Sequence, residues 1–234
     1  MLRDSVTFLY DALVVAHGDS PSRACLLALA AASRRVVALD GAANRLLAIG
    51  VQPHFILGDL DSISPQALKS ASRHRTRIVR LKEQETSDLE KGLRFCVKRG
   101  WKQIAFVGFL GPRLDHSLNA FGAFSKFRDL EITLITSQSI GHLLHGRMTL
   151  TCRVRPGLRI SLMPLPVAKG VTLSGVRWPL RGRTLRQGDS VSLSNEAIEP
   201  IVRLRQGSGS SVVITDRRPK QVALECEIRH GNRL

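Results

Sequence analysis

The chain has 234 residues and a formal net charge of +16, with 43% hydrophobic and 23% charged residues. This balance excludes a disordered chain, and the length allows one large domain or two modest ones. The first twenty residues carry an aspartate inside their apolar part, and no apolar run approaches the ~20 residues of a membrane span. We therefore expect a cytoplasmic protein without a signal peptide or a membrane segment.

The positive charge is a weak argument for nucleic-acid binding. Residues 147–234 hold 16 Lys and Arg against 6 Asp and Glu, but the basic residues are spread singly. The densest basic cluster, SRHRTR at Ser72–Arg77, has no interleaved aromatic residue on which a base could stack. A basic surface also attracts polyphosphate substrates, so a nucleic-acid partner is not expected.

The cysteines are scattered along the chain, at Cys25, Cys96, Cys152 and Cys226. They form no CxxC pair and no cluster with histidine, which argues against a zinc site and against a disulfide framework. We expect free, mostly buried thiols in a reducing compartment.

The first 146 residues alternate between short apolar runs and helical stretches. Strands are predicted at 12–18, 36–40, 54–57, 77–81, 103–108 and 131–136, and helices at 21–35, 42–50, 64–72, 87–100 and 115–127. Ser20, Ser64 and Ser87 are the predicted N-caps of three helices. This alternation predicts a parallel sheet with helical crossovers on both faces, which makes residues 1–146 an α/β layered domain.

The pattern changes at residue 147. Short β-branched segments separated by turn residues follow at 148–154, 158–165, 170–176, 189–194, 200–205, 210–215 and 222–228. No helical period of useful length remains. We therefore predict a second, smaller all-β domain over residues 147–234, built as an antiparallel sandwich or barrel.

Acidic residues follow successive strands of the predicted α/β domain, where a parallel sheet binds its ligands. The residues expected at this edge are Asp40, Asp59, Asp61, Asp88 and Asp115. Three of them have an equally simple structural interpretation, in a turn, in the first turn of a helix or as an N-cap. The aspartate pair in FILGDLDSI does not.

Asp59 and Asp61 lie two residues apart in an extended segment, so both carboxylates point the same way. Ser64 already supplies the next helix cap, and nothing in helix capping requires the pair. A few hard oxygen ligands completed by water describe a Mg²⁺ site that expects phosphates as co-ligands. The pair therefore predicts binding of Mg²⁺ with a nucleotide.

Glycines near the same strand ends would let an anion approach backbone amides, and Arg113 in one of these loops suits a phosphate. The sequence has no GxxxxGK[ST] loop, no GxGxxG after the first strand and no GxSxG elbow. These absences argue against a Walker-type NTPase, a Rossmann dehydrogenase and a serine hydrolase. His17 and His116 lie near strand ends and are candidate bases.

Four ordered segments of the chain resemble the thiamine pyrophosphokinase family, and the resemblance covers nearly the whole sequence. They are DGAANRLLAIGVQPHFILGDLDSI, EQETSDLEKGL, GFLGPRLDHSLNAF and, in the second half, GVTLSGVRWPLRGRTLRQGDSVSLSNE. The resemblance implies an enzyme that transfers the pyrophosphoryl group of ATP to the hydroxyl of thiamine, giving thiamine diphosphate and AMP. It also implies a homodimer that holds thiamine between the α/β domain of one subunit and the β domain of the other.

The resemblance also implies roles for individual residues. Mg²⁺ would be held by Asp59, Asp61 and Asp88, with Asp115 near the reacting hydroxyl as a fourth catalytic residue. The nucleotide side would be lined by Asp40, Gly41, Asn44, Lys91 and Arg113. The thiamine side would be lined by Gln84, Ser194, Asn195 and Trp178.

The sequence departs from the family pattern at four positions within these segments. Ala42 replaces a glycine, Glu83 replaces Asp, and Ser87 replaces Thr. Pro112 replaces a glycine before Arg113, which fixes φ and deletes a backbone donor. Two other functions stay open: a pyrophosphokinase of the same fold acting on another hydroxymethyl heterocycle such as a pterin, and a basic nucleic-acid-binding module.

Overall fold

The computed structural model of the chain describes residues 8–81, 85–189, 192–218, 221–223 and 225–231. The chain divides into two compact units, Met1–Ala120 and Phe121–Leu234. The predicted domain boundary at residue 146, drawn from the change in the sequence pattern, stays a prediction. Within the described ranges, no helix is both long enough and apolar enough to cross a membrane.

The first unit is built on a parallel sheet in the order β5-β1-β2-β3-β4. Its strands are β1 (Tyr10–Val15), β2 (Ser33–Leu39), β3 (Phe55–Gly58), β4 (Arg77–Arg80) and β5 (Gln103–Val107). The apolar runs of the inner strands, at residues 13–15, 36–39 and 55–57, are buried, as their sequence predicts. Parallel pairing brings the carboxyl ends of all these strands to one edge of the sheet.

Helices connect the strands of the first unit. They are α1 (Arg23–Ala31), α2 (Ala42–Ala48), α3 (Pro65–Arg73) and α4 (Asp88–Lys98), and α5 (Leu114–Lys126) contains the division between the units. The hydroxyls of Ser64 and Ser87 accept hydrogen bonds from the N–H groups of Ala67 and Glu90 and cap α3 and α4, as predicted.

The prediction for α1 was wrong at both ends. Its N-cap is Ser22, whose hydroxyl accepts a hydrogen bond from the N–H of Cys25, and not Ser20. The helix ends at Ala31 because Ser33 already pairs with Tyr10 in the sheet. Strand pairing, which the local sequence does not reveal, therefore overrides the helical pattern of residues 32–35.

The second unit is antiparallel, in the order β14-β8-β12-β9-β13-β7-β6, with β10 and β11 both paired to β9. Its strands are β6 (Glu131–Ile135), β7 (Ser139–His145), β8 (Met148–Arg153), β9 (Arg159–Ser174), β10 (Leu180–Arg186), β11 (Asn195–Glu196), β12 (Ile201–Gln206), β13 (Ser208–Asp216) and β14 (Cys226–His230). The predicted mixed architecture, an α/β part followed by a β-rich part, is confirmed.

Several predicted strands of the second unit have different bounds. The two segments predicted at 158–165 and 170–176 form one continuous strand, β9, while β7 and β10 were not predicted. Of the strand predicted at 189–194, residues 190–191 lie outside the described residues and 192–194 are not extended strand. An apolar core that includes Leu150, Leu162 and Leu204 holds these strands together.

The prediction of four free thiols was wrong for two of them. Cys152 on β8 and Cys226 on β14 are direct cross-strand partners and form a disulfide. The pairing of β14 with β8 brings together two residues 74 positions apart, which no local spacing could reveal. Among the described residues, Cys25 and Cys96 are buried thiols outside any disulfide, as predicted.

Candidate active site

Three of the predicted acidic residues meet at the carboxyl-terminal edge of the parallel sheet. Asp40 follows β2 and Asp59 follows β3, its neighbour in the sheet, with Asp61 two residues on. One carboxylate oxygen from each of these three residues lies within 4.8 Å of the other two. We call Asp40, Asp59 and Asp61 the acidic cluster.

The backbone is held in unusual conformations around the acidic cluster. Asp40 and Leu60 have positive φ values of 43° and 71°, which cost energy for residues with a Cβ. The N–H of Asp40 donates to the carbonyl of Leu57 at 2.7 Å and joins the two strand ends. A Cβ on Gly58 would lie 3.0 Å from that of Asp40, so only glycine lets the two segments approach this closely.

The acidic cluster has an electrostatic imbalance. Asp40 is only 8% exposed, and its Oδ1 has no hydrogen-bond partner. Burial raises the pKa of Asp40, the charges of Asp61 and Asp59 add to this, and hydrogen bonds from Ser62 and Gly41 oppose it. Among the described residues, no Lys, Arg or His forms an ion pair with the three carboxylates. A cation would remove this imbalance.

Asn44 positions the loop that carries the acidic cluster. Its Nδ2 donates to the carbonyl of Ser62 at 2.9 Å, and its Oδ1 accepts from the N–H of Ser64 at 2.9 Å. The hydroxyl of Ser62 in turn donates to Asp61 at 2.8 Å. Ser62 was not among the predicted site residues, although its position next to Asp61 was a signal for it.

Gly41 follows the acidic cluster at the start of α2 and is closely surrounded. A Cβ there would lie 2.9 Å from Nδ1 of His17 and 3.1 Å from the Cβ of Ser62. Arg45, which was not predicted, donates from Nη1 to the carbonyl of Gly18 at 2.7 Å and fixes the loop after β1. The neighbours of Gly41 thus exclude a side chain at this position.

Asp88 lies outside the acidic cluster in the structure. Its Oδ1 accepts a hydrogen bond from Nζ of Lys91 at 3.2 Å, and Lys91 is only 8% exposed. Both residues lie in the first turn of α4, where a carboxylate interacts favourably with the helix dipole. The predicted roles of Asp88 as a metal ligand and of Lys91 on the nucleotide side stay predictions.

Arg113 and Asp115 form an exposed ion pair at the start of α5. Nη2 of Arg113 lies 2.6 Å from Oδ2 of Asp115, and its Nε lies 3.2 Å from Oδ1. The hydrogen bond from Arg113 is the main reason that the pKa of Asp115 falls to about 2. A carboxylate with so low a pKa is a weak base at neutral pH but a good acceptor for a hydroxyl group.

The residues predicted for thiamine binding lie in the second unit, except Gln84, which is outside the described residues. Asn195 is 1% exposed. Its Oδ1 accepts a hydrogen bond from the N–H of Trp178 at 3.1 Å, and its Nδ2 donates one to the carbonyl of Trp178 at 2.7 Å. Asn195 therefore fixes the backbone that presents Trp178, which is 57% exposed. Ser194 is exposed and adopts a positive φ of 53°.

The α/β sheet with a carboxylate cluster at its carboxyl edge, followed in the chain by a β-rich unit, defines a two-part α/β and β protein with a candidate site on its parallel sheet. Two family profiles match the sequence: the thiamin pyrophosphokinase catalytic domain at residues 26–136, and the thiamin pyrophosphokinase vitamin B1 binding domain at residues 148–209. The chain therefore belongs to the thiamine pyrophosphokinase family, an enzyme class of ATP:thiamine diphosphotransferases. The pterin and nucleic-acid alternatives are not favoured.

Curated relatives and solved structures agree with this assignment. Thiamine pyrophosphokinase 1 of Oryza sativa subsp. japonica is 28% identical over 202 residues, which cover 75% of this chain and 76% of that protein. Thiamin pyrophosphokinase 1 of Caenorhabditis elegans is 26% identical over 186 residues, covering 74% and 75%. The crystal structure of thiamine pyrophosphokinase from Bacillus subtilis has the same fold, with a TM-score of 0.75 at 21% identity. The match covers 88% of this chain and 99% of that chain.

Proposed function

We propose that this chain transfers the pyrophosphoryl group of ATP to the hydroxyl of thiamine, giving thiamine diphosphate and AMP, and that the acidic cluster holds Mg²⁺ for this reaction. The observation that carries the metal site is the buried, unpartnered Oδ1 of Asp40 beside two further carboxylates. Oxygen-only ligands at the end of a parallel strand suit Mg²⁺, which keeps several waters and shares phosphate oxygens.

The acidic cluster would hold the ion through Asp40, Asp59 and Asp61. Asp88 would join this set through Oδ2, because its Oδ1 already contacts Nζ of Lys91 at 3.2 Å. When bound, Mg²⁺ neutralises charge on the phosphate oxygens of ATP. The chain's own contribution is to fix the carboxylates through the loop contacts of Asn44 and Ser62.

The nucleotide would lie along the glycine-containing strand ends next to the acidic cluster. Gly41 offers an approach without a side chain, and Arg113 offers a planar guanidinium suited to phosphate. Arg113 is held by Asp115 in the structure, so a phosphate would compete with that carboxylate for its N–H groups. Pro112 contributes no backbone donor, which leaves the guanidinium as the phosphate contact of this loop.

Asp115 would orient the attacking hydroxyl of thiamine. With a pKa of about 2 it is ionised at neutral pH and accepts a hydrogen bond, but it holds a proton poorly. Positioning the hydroxyl in line with the β-phosphorus of ATP is the larger contribution in phosphoryl transfer. We therefore assign Asp115 to orientation, and not to deprotonation before attack.

The thiamine ring would contact Trp178, which Asn195 holds in place, with Ser194 beside them. We propose a homodimer in which these residues of one subunit hold thiamine next to the catalytic residues of the other. A cytoplasmic location stays a prediction. The expected free thiols no longer support it, because Cys152 and Cys226 form a disulfide.

The test is an assay of thiamine diphosphate and AMP formation from ATP and thiamine by the purified chain, with and without Mg²⁺. We expect equal amounts of both products in the native protein and a rate about 10²–10³-fold lower for Asp61→Asn, which keeps the shape of the side chain and removes its charge. Asp216→Asn is the matched control, because it removes an exposed carboxylate of the second unit that pairs with Arg159.

An undiminished rate in Asp61→Asn, or a rate in the native chain that does not depend on a divalent ion, would refute the metal assignment. Product formation from a hydroxymethyl pterin in place of thiamine would refute the substrate assignment. Analytical ultracentrifugation of the native chain tests the homodimer separately, since a monomer with full activity contradicts it.

A further inference from the structure

A basic cavity of about 690 Å³ lies in the α/β unit, away from the acidic cluster. Its residues precede or begin strands β2 to β5, so it opens at the amino-terminal edge of the sheet, whereas the acidic cluster lies at the carboxyl-terminal edge. The charged and titratable residues that line it are Arg35, His54, His74, Arg75, Arg77 and Arg99. We call this space the basic cavity.

No acidic side chain of the described residues lines the basic cavity. Within the same part of the chain, none of its arginines forms an ion pair with a carboxylate. Burial, followed by the charge of Arg35, lowers the pKa of His54. Four guanidinium groups around one space create a positive potential, and an anion of several charges would neutralise it.

Hydrogen bonds fix the two loops that form one wall of the basic cavity. Nε2 of Gln52 donates to the hydroxyl of Thr76 at 2.6 Å, and that hydroxyl donates to the carbonyl of Pro53 at 2.7 Å. The N–H of Arg77 donates to the carbonyl of His54 at 2.9 Å. These bonds therefore fix the backbone that carries Arg75 and Arg77 before any ligand binds.

The orientation of His54 is also fixed. Its Nδ1 accepts a hydrogen bond from the N–H of Val36 at 3.0 Å, so the neutral ring carries its proton on Nε2. The other ring nitrogen is therefore a donor, which adds a directed N–H to the guanidinium groups around the cavity. This arrangement suits an acceptor-rich ligand such as a phosphate group.

The floor of the basic cavity is aromatic. Phe55, Phe95 and Trp101 pack edge to face with ring centroids 5.1 to 5.8 Å apart. The guanidinium of Arg99 stacks over Phe55 at 4.9 Å and over Phe95 at 4.7 Å. Trp101 is partly exposed and lines the cavity, so it offers a flat surface beside the arginines.

We propose that the basic cavity is a second ligand site, which binds a di- or triphosphate ester of a flat heterocycle. The arginines and His54 would contact the phosphates, and Trp101 would contact the ring. An open cavity of this volume fits a small ligand, and one accessible aromatic side chain is too few for a strand of stacked bases. This site is separate from the proposed catalytic site and does not depend on its function.

The binding test uses the full chain carrying Asp59→Asn and Asp61→Asn, in buffer with EDTA, so that metal-bound phosphate at the acidic cluster is removed. Inorganic pyrophosphate is titrated in by calorimetry. Adding Arg35→Gln with Arg77→Gln should weaken binding at least about tenfold, because two charge-assisted contacts are lost. The matched control, Arg23→Gln with Lys69→Gln, removes two exposed charges outside the cavity and should change binding by less than about twofold.

ATP and thiamine diphosphate are then titrated into the same background with Trp178→Phe added, which leaves Trp101 as the only tryptophan. A ligand whose ring contacts Trp101 should quench its fluorescence, whereas pyrophosphate should not. The tighter of the two organic ligands identifies the natural source of the phosphate ester. If Arg35→Gln with Arg77→Gln fails to fold, as judged by its melting curve, Arg75→Gln in the loop after α3 replaces it.

The proposal is overturned if pyrophosphate does not bind the background chain, or if the cavity variant and the control lose affinity equally. Equal loss would mean that the general positive charge of the chain attracts the anion. Retention of a single-stranded oligonucleotide without any binding of pyrophosphate would also overturn it, in favour of a nucleic-acid surface.

Discussion

The two edges of the parallel sheet in the α/β unit carry opposite charge. At the carboxyl-terminal edge, Asp40, Asp59 and Asp61 meet with no described cation beside them. At the amino-terminal edge, arginines such as Arg35 and Arg77 surround a cavity with no described acid. Neither set is neutralised by the other, although both belong to one sheet. Unpaired charge at a strand end is therefore the feature on which both proposed ligand sites rest.

The largest effect is expected from reversing one charge of the acidic cluster. Asp61→Lys supplies a cation from the chain itself, so the metal site should be lost and the transfer rate should fall about 10³-fold or more. Without Mg²⁺, the same variant should be as stable as the native chain or up to ~1 kcal/mol more stable. The reason is that the introduced ammonium group attracts the carboxylates of Asp40 and Asp59, which the carboxylate of Asp61 repels. Steady-state assays and urea unfolding measure the two quantities. A variant that keeps Mg²⁺-dependent activity within tenfold of native contradicts the assignment.

A smaller effect is expected from adding the metal to the resting protein. Mg²⁺ at 100 times its dissociation constant should stabilise the native chain by about 2.7 kcal/mol, seen as a higher melting temperature. Asp40→Asn should remove most of this shift because it replaces the buried carboxylate by a neutral amide. Arg35→Gln, at the opposite edge, is the control and should keep the shift. If both variants keep it, the ion binds elsewhere.

The smallest effect concerns the acid that does have a partner. Arg113→Gln removes the guanidinium that favours the ionised form of Asp115, so the pKa of this carboxyl should rise from about 2 toward its ordinary value of 3.8. NMR titration of the Asp115 carboxyl carbon measures the change. Arg159→Gln, which removes the partner of Asp216 in the second unit, should leave Asp115 unaffected. An unchanged pKa in Arg113→Gln would show that the ion pair is not maintained in solution.

Local signals in the sequence predicted those parts of the fold that local interactions determine. Ser64 with Pro65, and Ser87 with Glu90 three residues later, mark helix starts that the structure confirms. The order of the strands also predicted part of the site, because the adjacent parallel strands β2 and β3 place Asp40 close to Asp59. The early end of α1 depends on pairing with β1, a tertiary contact that no window of sequence contains.

The candidate site was predictable to the same extent. The acidic cluster follows from topology, whereas the side-chain contacts of Asp88 with Lys91 and of Arg113 with Asp115 depend on rotamers that a sequence does not specify. The basic cavity was missed for a related reason. The segment Ser72–Arg77 lacks aromatic neighbours in the sequence, and Trp101, in the loop between α4 and β5, lines the same cavity only in the folded chain.

The bond between Cys152 and Cys226 turns most of the second unit into a closed loop of chain. A protease that cuts once between these residues therefore produces two pieces that stay covalently joined. On a denaturing gel such a nicked molecule would run as one band until a reductant is added, and as two fragments afterwards. Domain-mapping experiments on this protein thus need both lanes side by side, since the non-reducing lane alone hides the cut and the reducing lane alone does not show that the fragments stay joined.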